Sequence, residues 1–485
     1  MRRLTPPRQP PPGGGAHGRG ARTGRYLVWG LAALALGGRG ASAQTTVDAT
    51  DVSGGGNWDT ATTWNCPSGP LPCIPDDDAS YLFDVGINSG TVILDTPSAT
   101  QAFVIDTLAV AGGATLQEMG GASLGVTGNM SNGGTLDVDT TGAGGSVLTV
   151  DGTATNTGTL DLGNAGLTAP TEIIVAGLAS TGTVNITGSL TVEARMQVTG
   201  PASASPFVPA DGLLSAGTYT LTNDAVLEYS GPGVSGIASG VTVNLNGAGA
   251  SLDATSLTPN NASSTGTNSA LNTLATNAGT LSLQNGASVI TNSGLALVNT
   301  GTINVDQNAQ TSTGGSDFGV GGLLTNNGQI AIGNGQHLTS AVTASVGGLL
   351  DNTGTLSVHG NIAPASPVSA SLAVAGGAFS AGIPTQAFTV VNSGTVNLAS
   401  DAQVAVSGTY ENLATTNVDT AADYNYSTGK AASGGSVLDV SGVLSNSGYQ
   451  LSIGPATVSL GGSNATLNLG NASLTLPTEI TAAGL

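Results

Sequence analysis

The stretch Asn352-Thr-Gly-Thr-Leu-Ser-Val358 carries two signals that together decide the fold. Asn and Gly tolerate positive φ better than other residues, so the Asn-x-Gly part predicts a sharp corner. The Thr-Leu-Ser-Val part alternates polar and aliphatic residues with a period of two, which predicts a β-strand with one buried face. The stretch therefore predicts a corner followed by a short, half-buried strand.

The same unit recurs along most of the chain. Its copies begin at Asn132, Asn156, Ser180, Asn277, Asn299, Asn326, Asn352 and Asn392, with a degenerate copy at Asn446. Most neighbouring copies begin about 22–27 residues apart, which we interpret as one coil of a solenoid. The wider intervals, which start at Ser180, Asn352 and Asn392, are interpreted as several coils with some unrecognisable corners.

These repeats predict an all-β protein, a parallel β-helix (β-solenoid) of roughly 16 coils. An antiparallel β-sandwich also has frequent turns, but a corner motif at coil-length spacing is not expected of it. The 75 glycines follow no G-X-Y period, which excludes collagen, and the recurring Val, Ile, Leu and Thr argue against disorder. Stacked coils place like residues side by side, which explains why only 8% of residues are charged.

Residues 1–43 have the three parts of a secretory signal peptide: a basic start, an apolar run and a small-residue site. The apolar run, Leu27–Leu36, has ten residues, whereas a transmembrane anchor needs about 20. The small residues Ala41-Ser-Ala43 predict cleavage between Ala43 and Gln44. We therefore expect an exported protein.

The charge that remains after the signal peptide is strongly acidic. Arg195 and Lys430 are the only Lys or Arg residues beyond position 43, against 29 Asp and Glu residues. A basic face for nucleic acid or for anionic lipid is therefore excluded. The acidic residues form no long block, so a charged disordered tail is not predicted either.

Residues 44–100 are predicted to form an N-terminal cap with a Trp-, Cys- and Pro-rich loop. In an exported chain, the nearby Cys66 and Cys73 predict a disulfide, because a zinc site would need more ligands than the sequence offers. The cluster Asp76-Asp-Asp78 is interpreted as a solvated turn, with a calcium site as the alternative.

Residues 101–485 are assigned to the β-helix repeats. Residues 162–178 match residues 469–485 at 13 of 17 positions, so we expect a module of about 307 residues that begins again near the end, and hence a piece of a longer protein. The stretches 202–212 and 257–268 are predicted to be loops that leave the coils and carry any binding determinants.

At this point the chain resembles a known group of bacterial proteins. The opening Gly56-Asn-Trp-Asp59, the strand Val92-Ile-Leu-Asp95, the coils of the Asn-x-Gly-Thr type and the segment from Gly217 to Tyr229 resemble autotransporter passengers and filamentous-haemagglutinin-like adhesins. The resemblance implies a right-handed parallel β-helix displayed on a Gram-negative cell surface. It also implies an outer-membrane translocator, which we expect outside these 485 residues.

The function expected from the sequence is that of a non-catalytic, surface-exposed or secreted passenger in adhesion, without cofactor or metal. Its expected partner is a glycan or protein on a host or neighbouring cell. A structural extracellular spacer is one alternative, and a glycan-active β-helix enzyme is another. Catalysis would need clustered carboxylates together with basic groups. The basic residues Arg195, His337, His359 and Lys430 are instead dispersed along the sequence. His359 follows an inward-facing valine and is expected on the surface.

Overall fold

The structure is a computed structural model that describes residues 44–52, 54–95, 102–200, 207–254, 268–335, 337–361, 368–375, 388–419, 435–446, 450–459, 466–469 and 479–484. The predicted signal peptide, parts of both predicted loops and Lys430 lie outside the described residues. Residues from Gln44 onward form one compact unit. Hydrogen bonds join its strands into three sheets of 12, 16 and 15 strands, which are parallel except at Trp64–Asn65 and Thr466–Leu469. Because some strands span two sides of the stack, the strands are described below by three faces, A, B and C.

Each regular coil contributes three short strands, as residues 147–162 illustrate. Val147–Val150 lies on face A, Thr153–Asn156 on face B and Thr159–Leu162 on face C, and each pairs in parallel with its counterpart one coil on. Three long strands run across faces A and B without interruption: Val147–Asn156, Thr171–Ser180 and Val437–Asn446.

The other strands are assigned to faces by their pairing partners. Face A contains Ala102–Ile105, Ser123–Val126, Ala194–Val198, Ala225–Tyr229, Ser251–Ala254, Ser288–Ile290, Asp317–Val320, Val342–Val346, Ala370–Val374, Ala402–Val406 and Glu479–Gly484. Face B contains Thr45–Asp51, Tyr81–Ile87, Thr107–Val110, Met130–Asn132, Leu213–Leu214, Gly236–Ile237, Thr276–Asn277, Leu297–Asn299, Leu324–Asn326, Leu350–Asn352, Phe388–Asn392 and Thr409–Asn412.

Face C is the longest stack. It contains Gly55–Asn57, Thr91–Leu94, Thr115–Glu118, Thr135–Val138, Thr159–Leu162, Thr183–Thr187, Thr218–Thr222, Thr242–Asn246, Thr280–Gln284, Thr302–Val305, Gln329–Ile332, Thr355–His359, Thr395–Ala399, Thr415–Val418, Gln450–Ser459 and Thr466–Leu469. The strand Trp64–Asn65 pairs antiparallel with Thr45–Asp51. The helices of the described residues are single 3-10 turns at Ala61–Thr63 and Ser269–Thr273, and neither has the length or apolarity to span a membrane.

The all-β class and the parallel stacking of repeats, predicted from the sequence, are confirmed; the number of coils stays a prediction. One detail of the spacing argument is wrong. Asn352 pairs directly with Asn392, so the interval between them is a single coil with a long connection. The interval from Asn392 to Asn446 does span two coils, because Asn412 lies in register between them.

The core lies between the three faces and is made of aliphatic columns. Leu136 and Val138 are fully buried, and the outward Thr135 and Asp137 are half-buried, as the alternating pattern predicts. Equivalent residues stack at the spacing of parallel strands, about 4.8 Å. A fully buried aliphatic side chain contributes about 1.5–3 kcal/mol relative to an exposed one, so these columns dominate the stability of the stack.

The first coils are closed by aromatic residues. The rings of Trp58 and Trp64 meet edge to face with centroids 4.9 Å apart, and both are buried. Trp64 Nε1 donates to the Trp58 carbonyl at 2.7 Å, and Trp58 Nε1 donates to the Pro75 carbonyl at 3.2 Å. Each indole is thus buried with its polar atom satisfied, which is the condition for placing Trp in a core.

Candidate functional site

The asparagines of the repeat form ladders inside the stack. Each lies at the end of a face B strand, is buried, and donates its side-chain amide to the equivalent residue one coil on. The distances are 2.8 Å for Asn132 to Asn156, 2.8 Å for Asn277 to Asn299, 2.8 Å for Asn299 to Asn326, 2.7 Å for Asn326 to Asn352 and 2.8 Å for Asn352 to Asn392. Asn392 continues to Asn412, which the sequence pattern missed because no Asn-x-Gly motif begins there.

The ladders begin where the preceding coil has no asparagine. Asn132 follows Val110 in register and Asn277 follows Ile237, and the Oδ1 atoms of these two asparagines are buried without a hydrogen-bond partner among the described residues. Asn156 ends the first ladder by donating to the Ser180 hydroxyl at 3.2 Å. The ladder is therefore a cooperative polar element in an otherwise apolar core.

The physical role predicted for Asn-x-Gly is wrong. None of the ladder asparagines, and none of the glycines that follow them, has positive φ. These glycines are needed for close approach instead: a Cβ at Gly328 would lie 2.1 Å from the Gly301 carbonyl oxygen, and one at Gly354 would lie 2.1 Å from that of Gly328. The corner repeats because glycine stacks on glycine and asparagine bonds to asparagine.

A further set of buried residues was not predicted at all. Asp139, Asp306 and Asp419 each follow a face C strand, adopt positive φ and are fully buried. Each carboxylate accepts two backbone N–H groups, one from the preceding coil and one from a serine further along the chain. The donors are Gly120 and Ser146 for Asp139, Asn285 and Ser316 for Asp306, and Ser400 and Ser436 for Asp419. The signal available in sequence was an aspartate directly after the strand, as in Thr302-Ile-Asn-Val-Asp306.

Face B is interrupted next to the first predicted loop. Residues 177–180 pair with Thr153–Asn156, whereas the next face B strand, Leu213–Leu214, pairs only with Gly236–Ile237 among the described strands. The Tyr219 hydroxyl spans the interruption, donating to the Ala216 carbonyl at 2.9 Å and lying 3.5 Å from the Ser180 carbonyl.

A cavity of about 220 Å³ opens at this interruption. Its walls are mainly hydroxyl-bearing and small side chains, with two aromatic rings: Thr155, Thr157, Ala179, Ser180, Thr181, Phe207, Ser215, Ala216 and Tyr219. The Phe207 ring packs edge to face on Tyr219 and on Tyr229, with centroids 5.3 Å apart in both cases. Burial raises the pKa of the Tyr219 and Tyr229 hydroxyls, so both stay neutral hydrogen-bonding groups.

The described parts of three successive connections between faces A and B stack on one another beside this cavity; we call residues 207–212, 230–235 and 268–275 the corner loops. Ser235 donates its hydroxyl to the Asp211 carbonyl at 2.7 Å and its backbone N–H to Gly212 at 2.8 Å. Val234 in turn donates to the Ala270 carbonyl at 2.7 Å. The described part of the first predicted loop therefore stacks on the two connections that follow it, and Asn268, the described residue of the second predicted loop, is buried.

A charged cluster lies on face A, on the strands that lead into the corner loops. Arg195 forms a salt bridge and a hydrogen bond with Glu228, and its Nε lies 3.8 Å from Glu193. Glu172 is in register with Arg195 one coil earlier, and Asp224 also interacts electrostatically with Glu193. One cation thus lies near three carboxylates, and Asp224 lies near one of these, Glu193.

Burial governs the ionisation of this cluster. Burial raises the pKa of Glu172 and of Glu193, and the Arg195 charge opposes that shift in both. Burial lowers the pKa of Arg195, but the hydrogen bond to Glu228 and the charges of Glu228, Glu193 and Glu172 together outweigh it and raise this pKa. None of these residues lines the cavity at Tyr219, so the charged cluster and the cavity are separate features of neighbouring coils.

The aspartates at 76–78 cap strands. Asp76 Oδ1 accepts the Val104 N–H at 3.0 Å, and Asp77 Oδ1 accepts the Phe83 N–H at 2.6 Å. Asp78 Oδ1 accepts the N–H groups of Ser80 and Tyr81. The interpretation as a solvated turn is correct only for the exposed Asp78, because Asp76 and Asp77 are half-buried and burial raises the pKa of both, that of Asp77 to about 6.

His359 is not the surface residue that the alternation predicts. It follows the buried Val358 and points away from the core, but it is half-buried and its Nε2 is inaccessible, without a hydrogen-bond partner among the described residues. Burial lowers its pKa to about 4. His337 is exposed, and its backbone N–H donates to Asn334.

The remaining predicted residues lie near the N-terminus. Cys66 and Cys73 form a disulfide in the loop before Tyr81–Ile87. Gln44 is exposed and donates its side-chain amide to the Asp78 carbonyl at 2.6 Å, whereas Ala43 lies outside the described residues. In the part of the chain that the structure describes, no group of three or more His, Cys, Asp or Glu residues could hold a metal ion.

Comparison with known proteins adds no identity to these features. No protein family, no curated protein and no solved structure matches the chain. The function is therefore argued from the stack, the corner loops, the cavity and the charged cluster.

Proposed function

We propose that the chain is a non-catalytic, surface-exposed or secreted β-helix passenger in adhesion, similar to autotransporter passengers and filamentous-haemagglutinin-like adhesins. The observation that carries the proposal is the stacking of three successive corner loops beside a cavity on an otherwise regular scaffold. Loops held by a rigid scaffold are where binding residues concentrate. The repeated ladders supply that rigidity, because an asparagine inside a ladder, such as Asn299 or Asn326, is hydrogen-bonded to its neighbours on both sides.

The lining of the cavity, with its hydroxyl groups, small side chains and aromatic rings, suits an uncharged ligand that has both hydroxyl groups and an apolar face. Hydroxyl groups of Thr155, Thr157, Ser180, Thr181 and Ser215 can both donate and accept hydrogen bonds. A sugar ring presents the same kind of group, and a cavity of about 220 Å³ has room for part of a saccharide. A cell-surface glycan is thus the preferred partner, ahead of a cell-surface protein.

The charged cluster favours one alternative, a glycan-active enzyme. Glycosidases need two carboxylates that flank the bond to be cut. Glu172, Glu193 and Glu228 lie near Arg195 on this side of the stack, and Asp224 lies near Glu193. Against this, Glu228 is buried and already engaged by Arg195. A structural spacer without a ligand is the other alternative.

Binding of the purified chain to a glycan array and to cells tests the proposal, with Ser215→Trp and Ser345→Trp as a matched pair. Both serines are exposed, but only Ser215 lines the cavity. We expect the wild type and Ser345→Trp to bind and Ser215→Trp to lose binding at least tenfold. Absence of binding by the wild type favours the spacer, and release of shortened saccharides that Glu193→Gln abolishes favours the enzyme.

Export is proposed on the sequence pattern of residues 1–43, with an outer-membrane translocator as partner in a Gram-negative bacterium. N-terminal sequencing of protein secreted by such a host tests it. The expected first residue is Gln44, and recovery of the intact Met1 start in the cytoplasm would contradict it.

A further inference from the structure

One core column contains a single acidic residue at a place where its neighbours are aliphatic. Glu118 ends the strand Thr115–Glu118 and lies in register between Leu94 and Val138, both fully buried. Glu118 itself is 0% exposed. Burying a carboxyl group at a site that suits leucine is strongly unfavourable unless a partner compensates for the lost water.

The residues around Glu118 also leave oxygen atoms unsatisfied. Both Glu118 oxygens and the Ser146 hydroxyl are buried without a hydrogen-bond partner among the described residues. Asp139 is hydrogen-bonded to both residues: its N–H donates to the Glu118 carbonyl at 2.7 Å, and its carboxylate accepts the Ser146 N–H at 2.8 Å and the Gly120 N–H at 3.2 Å. Asp139 is 0% exposed and interacts electrostatically with Glu118.

The two equivalent corners show what is special about this one. At Asp306 and Asp419, the position of Glu118 is taken by Leu283 and Leu398. There the aspartate accepts a serine hydroxyl, from Ser312 in one case and from Ser436 in the other. At those two corners a serine hydroxyl therefore binds the aspartate. At the Asp139 corner there is a second carboxyl group, that of Glu118, and the Ser146 hydroxyl binds neither Glu118 nor Asp139.

We propose that Glu118, Asp139 and Ser146 form a buried calcium site. The donors are all oxygen atoms, which hard divalent cations prefer: two from Glu118, the remaining lone pairs of Asp139 and the Ser146 hydroxyl. Two carboxylates balance the charge of one Ca²⁺. The two carboxylates supply four oxygen atoms, and the Ser146 hydroxyl supplies a fifth.

Geometry separates this proposal from a proton shared by the two acids. A shared proton requires a short hydrogen bond between the carboxyl groups, with oxygens about 2.5–2.7 Å apart. Neither Glu118 oxygen has a partner at hydrogen-bonding geometry within the described structure; the Val147 N–H lies near them but donates to the Ala122 carbonyl at 2.9 Å. A bound cation holds its oxygen ligands at about 2.3–2.6 Å from itself, so the ligands stay apart from one another.

Thermal unfolding of the full chain in EGTA, in millimolar Ca²⁺ and in millimolar Mg²⁺ tests the site. We expect Ca²⁺ to raise the wild-type midpoint by several degrees. Glu118→Gln should lose this response. Glu118→Leu copies the corners at Leu283 and Leu398, so it should remain folded and be insensitive to Ca²⁺. Glu172→Gln, on the outward face, is the matched control and should respond as the wild type does.

Two results would overturn the proposal. One is a wild-type midpoint that Ca²⁺ leaves unchanged while Glu118→Leu is more stable, which would identify Glu118 as a neutral acid in the core. The other is an equal response of the wild type and Glu118→Gln, which would assign the effect to the exposed acidic residues.

Discussion

Asn326 donates its side-chain amide to Asn352 Oδ1 across 2.7 Å, from one coil to the next, while its own Oδ1 accepts the Asn299 amide at 2.8 Å. Asn326 Nδ2 also reaches the Thr355 carbonyl at 3.0 Å. A single buried side chain thus links three coils. Because every hydrogen bond in the ladder lies in the dry interior, each one contributes more than it would at the surface.

Removing one member of the ladder should destabilise the stack. Asn326→Ala leaves Asn352 Oδ1 and the Thr355 carbonyl without their donor, and we expect a loss of about 2–4 kcal/mol in the free energy of unfolding. Asn327→Ala is the control, because Asn327 is exposed and should change the stability by less than about 0.5 kcal/mol. Urea unfolding measures both, and equal effects would refute a special role for the ladder.

The glycine after the ladder residue should not accept a side chain. A Cβ at Gly328 would lie 2.1 Å from the Gly301 carbonyl oxygen, so Gly328→Ala must push two coils apart and should cost about 3 kcal/mol or more. Gly112→Ala is the control, because its Cβ would come no closer than 3.7 Å to any atom outside its own neighbourhood. A Gly328→Ala protein that melts with the wild type would contradict the close-approach explanation.

The buried corner aspartates should require a carboxylate. In Asp306→Asn, the new amide NH₂ must face either the Asn285 N–H or the Ser316 N–H, which both donate to Asp306. We expect a loss of about 2–4 kcal/mol in the free energy of unfolding. Asp317→Asn should leave the free energy of unfolding nearly unchanged. Within the described residues, the Asp317 carboxylate accepts a hydrogen bond from the Thr343 hydroxyl at the surface. Denaturant titration of the two variants distinguishes a corner requirement from a general effect of lost charge.

The stability of the protein should fall in acid through His359. Burial lowers the pKa of His359 from 6.5 to about 4, so the folded state binds this proton less well than the unfolded state. With respect to His359, the free energy of unfolding is therefore highest above pH 6.5. It falls by up to about 3 kcal/mol as the pH drops towards 4.

The difference in unfolding free energy between pH 7 and acid measures this effect. His359→Gln should reduce the difference, whereas His337→Gln, at an exposed position, should leave it as in the wild type. Similar behaviour of the two variants would show that the acid sensitivity arises elsewhere, for example from the carboxylates.

The local pattern was a reliable guide to the strands, and a poorer one to the reason for the corners. Leu136 and Val138 face the core as their alternation predicts, because the side of a strand that a residue occupies depends only on its parity. The φ argument for Asn-x-Gly failed because it considered one coil alone. The close contact of Gly328 with Gly301 exists only between coils.

The candidate sites depended still more on the stack. Arg195 meets Glu228 from 33 positions away, and Glu118 meets Asp139 and Ser146 only because Thr115–Glu118 lies beside Thr135–Val138. Connections of varied length separate these residues along the chain, so spacing alone does not show which of them become neighbours. The single coil between Asn352 and Asn392 shows the same difficulty.

The sequence by itself determined the all-β class, the parallel repeat and the inward face of each strand, because these follow from a two-residue period and a recurring unit. The tertiary structure decided what the conspicuous residues do. It turned Asn326 from a predicted corner residue into a buried link, covered the Nε2 of His359, and placed Glu118 in a core column beside Asp139. The physical reason is that a solenoid is stabilised between coils, and the contacts between coils depend on register, which the lengths of the intervening loops conceal.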